Sequence, residues 1–182
     1  MLVLIGKSGS GKTTICDLLC KNEGFVKATS YTTRAPRKGE TTGTYYKFIS
    51  KLEFAELYLQ NKILEKTVYN NQYYGLANED LNGNTVAVVD PAGAITLKKI
   101  LGNDAIVVFL DISEAEQYER LQLRGDKATD IERRLTVDNE VFDINADYID
   151  YIIHVDNQYP EQIASIIVEL VERESQYYGN IN

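Results

Sequence analysis

The chain has little of the residue types that support disulfide or zinc chemistry. Its 182 residues include one His, two Cys and no Trp, and Cys16 and Cys20 stand only four residues apart. Two cysteines at that spacing do not form a disulfide framework of the kind that small secreted domains use. A lone His154 without a Cys-rich spacing disfavours a structural zinc site. The sequence therefore favours a fold that is stabilised by its own core.

Long hydrophobic runs are also absent. No run approaches the roughly 18 apolar residues that a membrane span needs. The five residues Met1–Ile5 before Gly6 are too short for the apolar core of a signal peptide. With 44% hydrophobic and 25% charged residues the chain can bury an ordinary globular core. We expect one domain, no membrane partner, a cytoplasmic location, and a monomer or homodimer.

The charge balance is acidic but uneven. The net charge of −8 disfavours general nucleic-acid binding. Residues 1–50 nevertheless hold eight of the 19 Lys and Arg residues and three of the 27 acidic ones. A second basic cluster lies between residues 120 and 134. Two such islands are typical of local sites for small anions, although scattered surface charge would give the same pattern.

Apolar strands alternate with amphipathic helices along most of the chain. Strands are predicted near residues 2–5, 85–89, 105–110 and 151–155, and helices follow them near residues 12–21, 92–101, 114–123, 130–142 and 160–173. This alternation is typical of an α/β fold in which helices cover both faces of a parallel sheet. Residues 29–81 break the pattern with turns and a hairpin at Asn70-Asn71. They predict an inserted small mixed or antiparallel subdomain.

The strongest single signal is a phosphate-binding loop. Residues 6–13, Gly-Lys-Ser-Gly-Ser-Gly-Lys-Thr, fit the pattern G-x-x-x-x-G-K-[ST] in full. The glycines let backbone N–H groups turn toward phosphate oxygens at a helix N-terminus. Lys12 is expected to reach the β- and γ-phosphates, and the Thr13 hydroxyl is expected to ligate Mg²⁺. The predicted ATP-binding residues are Gly6, Ser8, Gly9, Ser10, Gly11, Lys12, Thr13 and Thr14.

A second cationic motif follows some twenty residues later. Arg34 and Arg37 flank Pro36 within the stretch Ser30 to Tyr46, which also contains Glu40. Two arginines around a proline form a rigid fork that suits a phosphate group, because each guanidinium can bind its oxygens through two hydrogen bonds. A solvated basic loop would have the same composition, so these residues alone leave both interpretations open.

At this point the sequence resembles the guanylate kinase family. The stretch from Ser30 to Tyr46 is similar to that family's pattern S-x-x-T-R-x-P-R-x-G-E-x-x-G-x-x-Y. The resemblance continues, in the same order, through Glu65, Tyr73-Tyr74-Gly75, Asp90-Pro91-Ala92-Gly93, Arg120-Leu121-x-x-Arg124-Gly125 and Arg134-Leu135. It covers nearly the whole chain, and with the phosphate loop it is specific for the family.

The resemblance implies both a fold and a reaction. It implies a P-loop NTPase-type sheet, formed by residues 1–28 and 82–182, with a helical lid near residues 120–135. The inserted segment, about 29–81, becomes a nucleotide-binding subdomain of the single domain 1–182. The implied reaction moves the γ-phosphoryl of ATP to GMP or dGMP, with Mg²⁺ as cofactor. Such a transfer depends on positioning and positive charge rather than on a general base.

The resemblance also assigns roles to residues. It implies that the acceptor phosphate is held by Arg34, Arg37, Tyr46 and Tyr74, with Glu40 orienting that site. It implies that Ser30 and Glu65 contact guanine, whose N1–H and 2-amino groups are paired donors for a carboxylate. Asp90 is expected near the acceptor and the metal. The implied catalytic residues are Lys12, Arg34, Asp90, Arg124 and Arg134.

One departure from the family pattern keeps alternatives open. After Tyr73-Tyr74-Gly75 the family usually has a small hydroxyl residue that contacts the base, whereas this chain has Leu76. Losing one hydrogen bond is a change of about 0.5–1.5 kcal/mol. A nucleoside or deoxynucleoside monophosphate kinase with altered base choice is therefore an alternative. A binding module that has lost catalysis is a further one, although such modules typically have an eroded phosphate loop, which is intact here.

Overall fold

The computed structural model describes residues 1–36, 43, 46–69, 71–78 and 84–179. The strands are β1 (Leu2–Gly6), β2 (Val26–Lys27), β3 (Ser30–Thr32), β4 (Lys47–Phe48), β5 (Ile63–Tyr69), β6 (Gln72–Ala77), β7 (Thr85–Val88), β8 (Ile106–Asp111) and β9 (Tyr151–His154). The helices are α1 (Lys12–Asn22), α2 (Lys51–Leu59), α3 (Pro91–Leu101), α4 (Glu114–Leu123), α5 (Ala128–Val141) and α6 (Pro160–Gly179).

The central sheet is parallel, as the sequence predicts. Its five strands lie in the order β2-β7-β1-β8-β9, and every pair in it is parallel. In register, Leu4 of β1 lies opposite Val88 of β7 and Val108 of β8. All five residues of β1 are buried, because strands inside such a sheet have both faces covered.

Each face of the sheet has its own core. Leu2 and Leu4 of β1 pack with Ile15 of α1 and Ile163 of α6 on one face. The alternate residues Val3 and Ile5 pack on the other face with α3 and with the segment that follows α5. Successive side chains of a strand point to opposite faces, so the short apolar strand β1 packs against the helices on both sides of the sheet.

The inserted segment forms a second sheet, with strand order β4-β3-β6-β5. It is mixed, because β3 pairs parallel with β4 and antiparallel with β6. Asn71 takes a positive φ of 59° in the turn between β5 and β6, as expected for a hairpin position that Asn tolerates. Leu76 of β6 is buried in the same apolar cluster as Val3 and Ile5. The second sheet is thus attached to the face of the central sheet that α3 covers.

The remaining helices differ from the sequence expectation mainly at their ends. Helix α5 begins at Ala128, two residues earlier than predicted, and packs on α4 through a small cluster of Leu121, Ile131 and Leu135. Helix α6 extends to Gly179, beyond the predicted end near Arg173. Its extra residues contain neither Gly nor Pro before Gly179, so no local signal ends the helix sooner.

No helix within the described ranges is long and apolar enough to span a membrane.

Candidate active site

The phosphate loop connects the carboxyl end of β1 to the N-terminus of α1. A Cβ atom at Gly6 would lie 2.6 Å from the Leu110 carbonyl oxygen, so the loop leaves the sheet where only glycine fits. Gly11 caps α1 with φ 86° and ψ 8°, a left-handed conformation that a side chain disfavours. The first N–H groups of a helix have no acceptor within the helix. The loop therefore ends in a set of donors suited to an anion.

Lys12 lies folded over this loop. Its Nζ donates to the carbonyl oxygens of Gly6, at 2.7 Å, and of Lys7, at 2.9 Å. Burial lowers the pKa of Lys12 to about 8, the negative charge of Asp138 opposes that shift, and the nearby Arg124 adds to it. The amine of Lys12 is therefore close enough to both the Asp138 carboxylate and the Arg124 guanidinium to interact with them electrostatically.

The two arginines of the predicted lid meet at one carboxylate. Arg124 follows α4, and its guanidinium binds Asp126 through Nε, at 3.0 Å to Oδ1, and through Nη2 to Oδ2. Arg134 of α5 places its Nε 3.7 Å from the same Oδ2. The structure thus brings together two of the predicted catalytic arginines at Asp126, which hydrogen-bonds Arg124 and lies at ion-pair distance from Arg134, whose Nε has no hydrogen-bond partner among the described residues.

A second acid lies against the loop itself. The Ser8 N–H donates to Asp138 Oδ2 of α5 at 2.6 Å, and Gln117 Nε2 of α4 donates to the same oxygen at 2.7 Å. Asp138 is only 8% exposed, and Gln117 is fully buried. Nearby, Lys7 Nζ donates to Asn139 Oδ1 at 2.7 Å. The amide of Ser8, one of the predicted ATP contacts, is therefore directed at α5.

A cleft of about 370 Å³ adjoins the other side of the loop. It is lined by Gly9, Ser10, Gly11, Thr14, Ile15, Arg120, Gln158, Pro160 and Ile163. Arg120 joins the loop to the end of β9, since Nη1 donates to the Gly9 carbonyl oxygen at 3.4 Å and Nη2 donates to that of Val155 at 2.9 Å. The cleft combines apolar walls with the backbone of the loop at residues 9–11, a lining that suits the nucleoside part of a ligand.

Aromatic rings and an arginine cluster on the second sheet. The Arg34 guanidinium lies 5.2 Å from the ring centroid of Tyr46 and 5.2 Å from that of Phe48. The rings of Tyr46 and Tyr74 meet edge to face with centroids 5.9 Å apart. Arg34, Tyr46 and Tyr74, which the resemblance assigns to one phosphate, are thus neighbours. Their predicted companions Arg37 and Glu40 lie outside the described residues.

Glu65 is a buried acid beside a second acid. Its side chain on β5 is 5% exposed, and its Oε2 has no hydrogen-bond partner among the described residues. Burial, together with the charge of Asp90, raises the pKa of Glu65 to about 8, although the Leu76 N–H donates to this carboxylate and opposes the rise. Asp90 caps α3, where its Oδ1 accepts the Gly93 N–H at 2.8 Å. A Cβ at Gly93 would lie 3.4 Å from Glu65 Oε2, so this glycine borders the unpartnered oxygen.

Topology places this acid pair at the same edge of the fold as the phosphate loop. Strands β1 and β7 are parallel neighbours, and the loop follows β1 as Asp90 follows β7. The carboxyl ends of parallel strands share one edge of a sheet, where ligands bind in such folds. Ser30 of β3 lies opposite Leu76 of β6 in the antiparallel register, and Leu76 in turn pairs with Glu65.

Metal binding by protein groups alone has little support. Within the described parts of the chain, no three His, Cys, Asp or Glu side chains cluster closely enough to hold an ion. Thr13 and Thr14 are exposed in the first turn of α1. Mg²⁺ commonly takes one or two protein oxygens together with phosphate oxygens and water, so a single hydroxyl at this position fits its chemistry.

Sequence reasoning missed Asp126, Asp138 and Gln117. Asp138 and Ser8 are 130 residues apart, and a carboxylate on a helix surface is by itself an ordinary solvated charge. One signal was present for Asp138. It stands three residues after Leu135 and seven after Ile131, and so it falls on the apolar face of α5.

Comparisons with known proteins identify the family of the chain. The family model described as guanylate kinase matches residues 1–174. The guanylate kinase of Wolbachia sp. subsp. Brugia malayi is 34% identical over 178 residues, covering 92% of this chain and 91% of that protein. The guanylate kinase of Bacillus cereus is 33% identical over 192 residues, covering 98% of this chain and 93% of that protein.

Solved structures share the architecture. The guanylate kinase of Anaplasma phagocytophilum superposes with a TM-score of 0.70 at 27% identity, covering 96% of this chain and 85% of that one. The YorR protein of Bacillus subtilis, crystallised in complex with phosphorylated GDP, gives a TM-score of 0.55 at 17% identity and shares the fold, covering 97% of this chain and 98% of that one. From its phosphate loop to α6, this chain belongs to the guanylate kinase family of ATP-dependent nucleoside monophosphate kinases.

Proposed function

We propose that the protein transfers the γ-phosphoryl of ATP to GMP or dGMP, giving ADP and GDP or dGDP. The observation that carries the choice of base is the unpartnered Oε2 of buried Glu65. A buried carboxylate oxygen without a donor is costly, and guanine presents N1–H and a 2-amino group side by side as donors. Ser30 and Asp90 complete this base-binding end.

The donor nucleotide is assigned to the phosphate loop. Backbone N–H groups of Gly9, Gly11 and the first turn of α1 bind the β- and γ-phosphates, and Lys12 turns from the Gly6 and Lys7 carbonyls toward them. The adenosine occupies the cleft beside Gly11 and Ile163. The Thr13 hydroxyl would ligate Mg²⁺, which would neutralise negative charge on the phosphate oxygens when bound.

The acceptor phosphate is assigned to the aromatic cluster of the second sheet. Arg34 offers its guanidinium from between Tyr46 and Phe48, and the hydroxyls of Tyr46 and Tyr74 donate to the remaining oxygens. Stacking against two rings limits the motion of the Arg34 side chain, so little of its conformational entropy is lost on binding. Arg37 and Glu40 belong to the same assignment through the sequence motif.

The chemistry then follows from charge. Two polyanions repel each other, and the transferring phosphoryl group spreads negative charge over its equatorial oxygens. Lys12, Arg124 and Arg134 supply positive charge at that position, after the two arginines exchange Asp126 for the phosphoryl oxygens. Approach of the lid helices would exclude water, which otherwise hydrolyses ATP.

One observation favours a second candidate, a nucleoside monophosphate kinase with different base choice. Leu76, which pairs with Ser30 and Glu65, is fully buried and brings no polar side chain to the base. A looser preference for guanine over other purines would follow.

The proposed setting is the cytoplasm, where the enzyme acts on free nucleotides as a monomer or homodimer without nucleic acid or membrane.

An ADP-release assay across acceptors tests the proposal. The protein is incubated with ATP and Mg²⁺ and with GMP, dGMP, AMP, CMP, UMP or dTMP in turn. We expect turnover with GMP and dGMP and at least about a hundredfold lower kcat/KM with the others. Turnover with a non-guanine acceptor alone would support the second candidate. No turnover with any acceptor would favour a binding module without catalysis.

A further inference from the structure

Asp138 is a buried charge that the proposed chemistry leaves without a role. Its carboxylate is 8% exposed and lies between the phosphate loop, α4 and α5. Burying a charge is unfavourable unless donors and an opposite charge compensate it. Here Ser8 N–H and Gln117 Nε2 both donate to Oδ2, and the Lys12 ammonium is close enough to interact with it.

The two hydrogen bonds join three separate elements. The Gln117 bond lies between α4 and α5, which already share the apolar cluster of Leu121, Ile131 and Leu135. The Ser8 bond connects α5 to the backbone of the phosphate loop, and on α4 the longer bond of 3.4 Å from Arg120 to the Gly9 carbonyl oxygen does the same. At 2.6 Å from an amide nitrogen to a carboxylate, it belongs to the short, charge-assisted class, which is about twice as strong as neutral bonds.

The same helix carries Arg134. Asp138 stands four residues after Arg134 on α5, so the two side chains share one face of the helix, one turn apart. A displacement of α5 away from Ser8 would therefore move the Arg134 side chain with it. The neighbouring contact between Lys7 and Asn139 is exposed, where water competes with it, and it constrains the helix less.

We propose that Asp138 is a positioning residue for phosphoryl transfer, which docks α5 on the phosphate loop through Ser8 and thereby holds Arg134 in reach of the donor phosphates. The inference rests on the proposed function, because it requires that Arg134 acts on the transferring group. Asp138 itself touches neither substrate.

The test is a double-mutant cycle between Asp138 and Arg134, read in kcat and in KM for ATP. Arg134→Ala is expected to lower kcat about a hundredfold or more. Asp138→Ala is expected to lower kcat about thirtyfold while KM for ATP changes less than about threefold. In the Arg134→Ala background, Asp138→Ala is expected to change kcat by no more than about twofold, because the group that it positions is gone.

A conservative variant separates docking from simple loss of stability. Asp138→Asn can still accept the Ser8 and Gln117 bonds, and its amide can donate to Gln117 Oε1, which has no partner among the described residues. Without the charge these bonds weaken, so we expect kcat to fall about threefold, and not at all in the Arg134→Ala background. This variant carries the test if Asp138→Ala does not fold. Glu132→Gln, which removes an exposed charge from the same helix, is the matched control and is expected to behave as wild type.

The outcomes separate this inference from the proposed function. If Arg134→Ala lowers kcat as expected but the Asp138 variants lose the same factor with and without Arg134, Asp138 does not act through Arg134 and the inference is wrong. An Asp138→Ala enzyme with wild-type kcat would also overturn it. If Arg134→Ala and Lys12→Ala both retain wild-type turnover, the proposed function fails first.

Discussion

The two ends of the active site differ in how their ionisable side chains are compensated by other groups of the chain. At the donor end the basic groups Arg124 and Arg134 contact Asp126, and the Lys12 ammonium lies close to Asp138, so acids of the chain itself offset their charge. At the acceptor end Glu65 is buried beside another acid, Asp90, and one of its oxygens has no partner in the described part of the chain.

The difference reflects what each end has to bind. A triphosphate brings several negative charges. The basic groups that bind it can therefore be held by singly charged carboxylates of the chain until the nucleotide replaces those carboxylates. A base brings neutral donors, and only an acceptor that is left unsatisfied gains by meeting them. At the donor end, the positive charges are thus compensated by carboxylates before the nucleotide binds. At the acceptor end, the unsatisfied oxygen of Glu65 gains its hydrogen-bond donors only when the base binds.

The largest expected effect removes the central cation of the donor end. Lys12→Ala should lower kcat about a thousandfold, because the positive charge at the β- and γ-phosphates is lost in a partly buried site. The measurement is steady-state ADP release with GMP as acceptor. The thermal unfolding midpoint should remain close to that of wild type, because the hydrogen bonds of the Lys12 ammonium within the described residues go to the loop carbonyls and the Ser10 hydroxyl.

Lys21→Ala, an exposed position at the other end of the same helix, serves as the matched control and should leave kcat unchanged. A Lys12→Ala enzyme that keeps more than about a tenth of wild-type kcat would contradict the role of this lysine.

The next effect concerns the unpartnered acid of the acceptor end. Glu65→Gln replaces two acceptor oxygens with one acceptor and one donor, so it cannot receive both guanine donors. We expect kcat/KM for GMP to fall about a hundredfold while KM for ATP changes less than about twofold. Glu56→Gln, an exposed charge on α2, is the control. Equal losses for GMP and ATP would remove Glu65 from the base site.

The raised pKa of Glu65 gives a pH dependence of defined sign. With a pKa of about 8, Glu65 is mostly protonated at pH 7 without ligand, and guanine requires the carboxylate. GMP binding therefore releases a proton, and affinity should rise by up to about tenfold per pH unit up to pH 8, then level off.

Titration calorimetry of wild type and Glu65→Gln over this range checks that dependence. Titration of the GMP phosphate is common to both proteins, so the difference between their slopes belongs to Glu65. Identical slopes would show that Glu65 keeps its protonation state on binding.

The smallest expected effect tests whether Asp126 offsets the positive charges of the donor end. Asp126→Asn removes the acid that contacts Arg124 and Arg134 and leaves one more net positive charge facing the triphosphate. We expect a non-hydrolysable ATP analogue to bind about threefold tighter, with Glu119→Gln on α4 as the matched exposed control. Weaker binding of the analogue would show that Asp126 supports the arginines rather than competing with phosphate.

Local sequence predicts the parts of this site that depend on local geometry. The phosphate loop follows from its glycines and Lys12, which all lie between residues 6 and 12 of the sequence. Ser50 and Ser113 cap α2 and α4 by accepting the N–H groups of Glu53 and Glu116, contacts between residues only three positions apart. The parallel sheet follows from buried apolar runs such as that of β1.

Contacts that depend on how distant elements pack could not be predicted in the same way. Asp126 meets Arg134 only because the turn after Arg124 brings the start of α5 back toward α4, and Asp138 reaches Ser8 across the whole chain. The unpartnered state of Glu65 depends on its burial between β5, β6 and α3, and the residue type alone does not determine that burial. These contacts depend on tertiary packing, which local patterns in a single sequence do not determine.

The most direct measurement follows the phosphoryl group itself. The protein is mixed with Mg²⁺, GMP and ATP radiolabelled at the γ-phosphate, and the products are separated over time. The account predicts that the label appears in the β-phosphate of GDP in step with ADP, and that Lys12→Ala abolishes this transfer. Label found in inorganic phosphate alone, or left in ATP while GMP is bound, would contradict it.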